Sequence, residues 1–120
     1  MGKNVSATGA YEIKVATLKK EVQILLEGNF TEQQAGEFIA DYNAIVEKIT
    51  AKDFVLRIDC RDLKLVTAEL QPSLEACYLL YKSSGFQSVI FEIDTNPVLK
   101  MQLARIARKV GLDTATINEM

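Results

Sequence analysis

The chain contains no histidine. Histidine is the commonest general acid–base and the commonest metal ligand, so its absence weighs against both kinds of site. Cysteine is scarce too. Cys60 and Cys77 are the only two, seventeen positions apart, with no CxxC and no cluster that could satisfy zinc. Each lies in an apolar run, which reads as two buried thiols behaving as small hydrophobes, with a disulfide or redox role as the alternative. No GxGxxG occurs, nor a GxxxxGK followed by Ser or Thr, so a glycine loop for phosphates is unsupported. No GxSxG elbow occurs, and without histidine the usual nucleophilic triads cannot form. No apolar run approaches the ~18 residues needed to cross a bilayer, and the start lacks a secretory leader pattern. These absences point to a cytoplasmic protein that is not an enzyme, with no metal or cofactor and no membrane partner.

What remains is an ordinary globular composition. The 120 residues are 48% hydrophobic and 25% charged, enough for one domain with its own core. Fourteen basic residues stand against sixteen acidic ones, a net charge of −2, which disfavours binding to nucleic acid.

Residues 1–10 are small and polar and read as a flexible tail; residues 11–120 form a single domain. Tyr11, Ile13 and Val15 alternate with Glu12 and Lys14, a half-buried strand. After the break at Lys19 and Lys20, residues 21–27 read as a second strand, close enough to form an antiparallel hairpin. Thr31 and Gln34 have capping-box spacing and predict a helix to about Thr50, with Phe38, Tyr42, Ile45 and Ile49 on one stripe. Glu32, Glu37, Asp41 and Glu47 fall outside that stripe. Residues 53–59 form a mostly apolar run, which predicts a central strand covered on both faces. Pro72 predicts a second helix from near Gln71, stopped by Gly85, with Leu74, Cys77, Tyr78 and Tyr81 inward. Residues 86–93 read as a strand. Pro97 opens a third helix with Leu99, Leu103, Ile106 and Val110 inward and Lys100, Arg105, Arg108 and Lys109 outside. Residues 113–117 suggest a weak last strand. The order β-β-α-β-α-β-α predicts an α/β domain: a mixed, mostly parallel sheet of about four strands with an N-terminal hairpin and three helices.

Asp59 and Asp62 flank the end of the third strand, where open α/β sheets often bind ligands; they read either as a ligand site or as polar residues fixing a turn. A receiver-type phosphoacceptor role for Asp59 needs an acidic pair after an early strand and a lysine after a later one. Glu27 stands alone, and residues 91–94 contain no lysine, so that reading fails.

The element order and several local strings resemble the STAS family, the fold of bacterial anti-sigma-factor antagonists. The resemblance runs from about Tyr11 to Ile117. Glu27-Gly28-Asn29-Phe30-Thr31 stands where the family turns into its first helix, and Phe54 to Ile58 resembles its next strand. Arg61 to Leu63, Asn96-Pro97-Val98 and Val110-Gly111-Leu112 resemble its later landmarks. The resemblance implies a regulatory module that binds a protein partner, an anti-sigma-type kinase, through the loop before the second helix. In antagonists that loop carries Asp-Ser-Ser-Gly or Asp-Thr-Ser-Gly, and a hydroxyl there is phosphorylated. This chain has Val66-Thr67-Ala68-Glu69-Leu70, with the acceptor position falling on Ala68 or Glu69. Neither has a hydroxyl; Thr67 and Ser73 only flank the position. Glu69 either imitates a phosphate at a helix start or serves as a routine first-turn acid. Thr67, Ala68, Glu69, Leu70 and Ser73 are therefore the candidate partner-binding residues. The alternatives are a structural or assembly subunit that self-associates as a homo-oligomer, and a small-ligand binder using Asp59, Asp94 and Asn96.

Overall fold

The computed structural model describes residues 3–5, 9–28, 32–63 and 66–119. Six strands form one sheet, in spatial order identical to chain order. They are β1 (Lys3–Val5), β2 (Gly9–Ala16), β3 (Glu21–Gly28), β4 (Val55–Asp59), β5 (Ser88–Ile93) and β6 (Ala115–Glu119). The helices are α1 (Glu32–Val46), α2 (Gln71–Ser84) and α3 (Pro97–Val110). β1, β2 and β3 pair antiparallel. From β3 onward the pairing is parallel, with a helix in each connection. The α/β class, the hairpin, the mostly parallel sheet and the three helices agree with the sequence reading.

Two strands lie beyond the expected four. The segment 113–117 contributes to β6. Within the stretch 1–10, read as a flexible tail, Lys3–Val5 pairs with residues 10–12 and Gly9 and Ala10 already belong to β2. β2 would otherwise leave one row of backbone groups uncovered, and a three-residue strand meets part of that need without any hydrophobic alternation.

Caps set the helix boundaries. Asn96 accepts from the Leu99 N–H at 3.0 Å, and Pro97 occupies the first turn of α3, where a missing N–H costs nothing. Gly85 and Gly111 take left-handed φ values of 78° and 74° at the ends of α2 and α3. α1 ends at Val46, short of the expected Thr50, and a turn leads to a single 3-10 turn at Ala51–Asp53. The expected cap at Thr31 lies outside the described residues.

The core lies on one side of the sheet. Register aligns Val22, Leu56 and Val89 in one row and Ile24, Ile58 and Phe91 in the next, all buried. Phe38, Tyr42, Cys77, Tyr78, Tyr81, Leu99, Leu103 and Ile106 of the helices pack into the same cluster. An aromatic chain runs through it: Tyr11 edge-on to Phe38, then Tyr42, Tyr81, Tyr78 and stacked Phe91, with centroids 5.0–6.1 Å apart. It ties β2 to β5 through α1 and α2. Two hydroxyls in it are satisfied at its margin. Tyr11 donates to the Asp41 carboxylate at 2.6 Å. The Ser84 hydroxyl gives its proton to the Leu80 carbonyl, so Tyr42 is the donor in the 2.7 Å contact with Ser84. Burial pushes the Tyr42 phenol up to about 12.

Among the described residues no helix lies over the other sheet face, which corrects the expectation of a β4 covered on both sides. Residues of β4 alternate between half-buried and buried. Val55, Arg57 and Asp59 occupy the open face, and the apolar run around them is a one-sided strand with Arg57 as its marker. Arg57 lies centrally there and bridges two neighbouring strands, reaching Glu21 at 3.0 Å and Glu92 at 3.1 Å. Gln23 adds a 3.0 Å bond to Glu21. The Gln23 amide first and Arg57 second hold the Glu21 carboxyl below its usual range. Cross-strand charge pairing of this kind lets a sheet face remain wet.

Candidate functional site

The loop from Cys60 to Leu70 connects β4 to α2 and carries most of the candidate residues. Its first half is tied to the strand ends. The Arg61 guanidinium grips Asp59 with two bonds of 3.0 and 2.8 Å, and the Arg61 N–H adds a third at 3.1 Å. This Arg61 clasp holds the Asp59 carboxyl below its usual range. The Asp62 carboxylate accepts from the Gly28 N–H at 3.0 Å. Gly28 has φ 72°, a conformation glycine adopts without the steric cost of a side chain. Asp62 thus pins the end of β3 to the end of β4. Of the two readings of Asp59 and Asp62, turn fixing is the one their contacts match. Leu63 is buried, anchoring the loop's middle. Lys64 and Leu65 lie outside the described residues.

The second half is clamped by a helix that follows it in the chain. The Gln102 side chain of α3 donates to the Val66 carbonyl and accepts from the Val66 N–H, both at 3.0 Å. One amide side chain therefore meets both backbone groups of a single residue, as a neighbouring strand would. Thr67 then opens a helical turn. Its hydroxyl accepts from the Leu70 N–H at 3.2 Å, and its carbonyl accepts from Leu70 and Gln71 at 3.1 Å. Thr67 caps this lead-in turn, and the regular part of α2 starts at Gln71 with Pro72 in its first turn.

The candidate residues separate into two groups. Thr67, Ala68 and Glu69 are exposed on the lead-in turn. Leu70 is buried, and Ser73 is half-buried beside it. These two, with Leu26, Ala35, Phe38, Leu74, Cys77 and Tyr81, line an apolar crevice between α1 and α2 of about 30 Å³. That is one water's share of liquid volume and too little for an organic ligand. Glu69, expected within the first turn of the helix, precedes Gln71 by two residues and sits in the lead-in turn. Thr67, the hydroxyl nearest the expected acceptor position, accepts the cap bond.

The strand ends beyond the loop form an open hollow of about 360 Å³ lined by Leu25, Glu27, Asp59, Arg61, Asp62 and Asp94. Among the described residues no three His, Cys, Asp or Glu side chains are placed to hold a metal ion. Asn96, named with Asp59 and Asp94 as a ligand group, serves as the α3 cap. Cys60 and Cys77 are both buried free thiols. Burial raises both, Cys77 to about 12, so neither is thiolate near neutral pH. Among the described residues no helix is long and apolar enough to cross a membrane.

Gln102 and the Asp62–Gly28 tether were not read from the sequence. Their partners lie more than thirty positions away, and a lone glutamine in a helix carries no local signal. The chain matches no protein-family model and no curated protein.

Proposed function

We propose that this protein is a non-catalytic interaction module that docks onto a protein partner through the exposed turn Thr67-Ala68-Glu69. One observation carries the reading. The turn is held from both sides, by the Gln102 clamp on Val66 and by the buried Leu70, yet its own three side chains face solvent. A loop fixed in place loses little conformational freedom on binding, which favours recognition. The STAS resemblance supports the same surface, since antagonists of that family meet their anti-sigma kinases there, and an α/β sheet with an N-terminal hairpin and three helices is compatible with it.

On this reading the loop works without the family's phosphorylation switch. Ala68 offers no acceptor and Glu69 offers a carboxylate, so a serine/threonine kinase has no hydroxyl to modify at that position. Glu69 supplies a standing negative charge instead, weaker than a phosphate in both charge and acceptor number. The test places a photo-crosslinking residue at Ala68 and, separately, at the exposed Lys52, which precedes β4 at the opposite end of that strand from the loop, in host cells. A partner crosslinked from position 68 and not from 52 supports the reading; the same set of products from both positions refutes it. Mass spectrometry that finds phosphate on Thr67 would overturn the proposal of an unswitched loop.

A further inference from the structure

β2 and β3 are joined through a single 3-10 turn, Thr17–Lys19, at the end of the sheet opposite the loop that carries Thr67. Turns favour glycine, asparagine, aspartate and serine. This one presents Leu18, which is 102% exposed, whereas Leu79, Val98 and Met101 keep about half of their surface covered. Lys20 closes the turn with φ 54°, in the left-handed region that a lysine enters only when its surroundings hold it. Its N–H reaches the Thr17 carbonyl at 3.2 Å, its carbonyl accepts from the Val55 N–H at 2.9 Å, and its ammonium lies 5.3 Å from the centre of the Phe54 ring. Leu18 is thus an apolar knob on a fixed tip, flanked by Lys19 and Lys20. Of the carboxylates nearby, Glu21 is engaged by Arg57 and Gln23, and Asp53 adjoins the exposed Lys52 in the chain.

The other end of β3 carries the counterpart. The strand is 8 residues long, roughly 26 Å at the usual rise, and it runs from this tip to the open hollow of about 360 Å³ at the strand ends. Leu25 of β3 is the apolar residue in that hollow, and around it stand Glu27, Asp59, Asp62 and Asp94 with Arg61 as the single cation. Arg61 is engaged by Asp59, and Asp62 by the Gly28 N–H. Glu27 and Asp94 are exposed and make no ion pair among the described residues. The hollow therefore keeps a surplus of negative charge beside an apolar side chain.

We propose that a second copy of this chain occupies the hollow: Leu18 of one copy seats against Leu25 of the next, with Lys19 and Lys20 among the carboxylates of Glu27 and Asp94. The chain carries both halves of the contact. One end offers an apolar knob between two cations on a tip that needs no ordering, and the other an apolar side chain among unpaired carboxylates. Knob and hollow are different patches, so each contact leaves one of each free on the pair, and association continues to a ring or a filament. The patches are small, so the contact is weak; assembly rises with concentration and falls with salt. An anionic membrane would suit Leu18 and its lysines but leaves the carboxylate hollow unmatched. The contact uses none of Thr67, Ala68 and Glu69, and its product is the chain itself rather than a second protein.

The test is small-angle X-ray scattering of the full chain up to about 1 mM, where a weak contact is populated. The average mass should climb with concentration and return towards the monomer in high salt. Leu18→Asp and Asp94→Lys, both at exposed positions, should each weaken self-association at least roughly tenfold. Glu27→Lys replaces the second variant if Asp94→Lys does not fold. Leu18→Asp keeps the hollow and Asp94→Lys keeps the knob, so the two variants mixed should pair with each other and stop at two. A chain still monomeric at about 1 mM overturns the proposal, as does association that neither substitution weakens, or a mixture in which the variants do not pair. Binding to phosphatidylserine vesicles that depends on Leu18, by a chain that does not self-associate, overturns it too and assigns the knob to a lipid surface.

Discussion

Replacing Gln102 with methionine removes both hydrogen bonds to Val66 while keeping the length of the side chain and avoiding a cavity. Each bond measures 3.0 Å, and Val66 is buried, so its N–H and C=O lose partners that water replaces only in part. A net hydrogen bond contributes ~0.5–1.5 kcal/mol, so two amount to about 1–3 kcal/mol. Gln102 itself is only half-buried, and partial access of water places the expected loss near the lower end, about 1–2 kcal/mol. With a urea slope of ~1–3 kcal/mol per molar, the unfolding midpoint should fall by roughly 0.5–1 M. The Gln102→Glu variant keeps an acceptor for the Val66 N–H but sets a negative charge against the Val66 carbonyl, and should lose at least as much. Amide exchange gives the local readout: the Val66 N–H should exchange faster in the variant while amides of β4 and β5 keep their protection relative to global unfolding. An unchanged midpoint together with an unchanged Val66 exchange rate would refute the clamp, and with it the argument that the exposed turn is held in place.

Other perturbations test separate parts of the account. The Glu21 and Asp59 carboxyls sit below their ordinary values, so each stabilises the fold above its unfolded pKa and loses that contribution as pH falls through its lowered folded pKa. Arg57→Met and Arg61→Ala should therefore reduce stability at neutral pH and flatten its fall in strong acid; a parallel downward shift at every pH contradicts the assignment. Burial raises the phenols of Tyr42, Tyr78 and Tyr81, so they stabilise the fold below the unfolded value near 10 and weaken it above. Absorbance should show these three still un-ionised at pH 10 in folded protein, and more than one tyrosinate per chain near pH 10 in folded protein, out of the four tyrosines, would count against the packing. A thiol reagent at neutral pH should modify Cys60 and Cys77 at the rate of unfolding, independent of reagent concentration; fast reaction in the native state would show that either thiol is accessible.

Much of the fold was legible because local signals and tertiary demands coincide. Tyr11, Ile13 and Val15 alternate, and the first two are buried while Val15 packs on the core margin. Pro72 with Gly85, and Asn96-Pro97 with Gly111, bracket α2 and α3 because their chemistry acts within one turn. What was not legible depends on distant partners. β1 has three residues and exists by pairing with β2, which no short-range pattern announces. The open sheet face was misread because Phe54, Val55, Leu56 and Ile58 look uniformly apolar, although Arg57 and Asp59 mark the wet side at a period of two. At the candidate loop, the sequence located the exposed residues Thr67, Ala68 and Glu69 but not their support. Leu70 and Ser73 turned out to face the α1–α2 crevice, because Leu70 closes the turn against the core.

The central claim concerns the exposed turn, and affinity for the crosslinked partner tests it most directly. Titration calorimetry would compare the native chain with Glu69→Gln, which keeps the size and removes the charge. An exposed charge at a helix start contributes no more than about 1 kcal/mol to stability, so the unfolding midpoint should barely move. A marked fall in affinity with an intact fold is the expected result. Equal affinities for both proteins, under conditions where both are folded, would contradict the claim that the charge on this turn is what the partner reads.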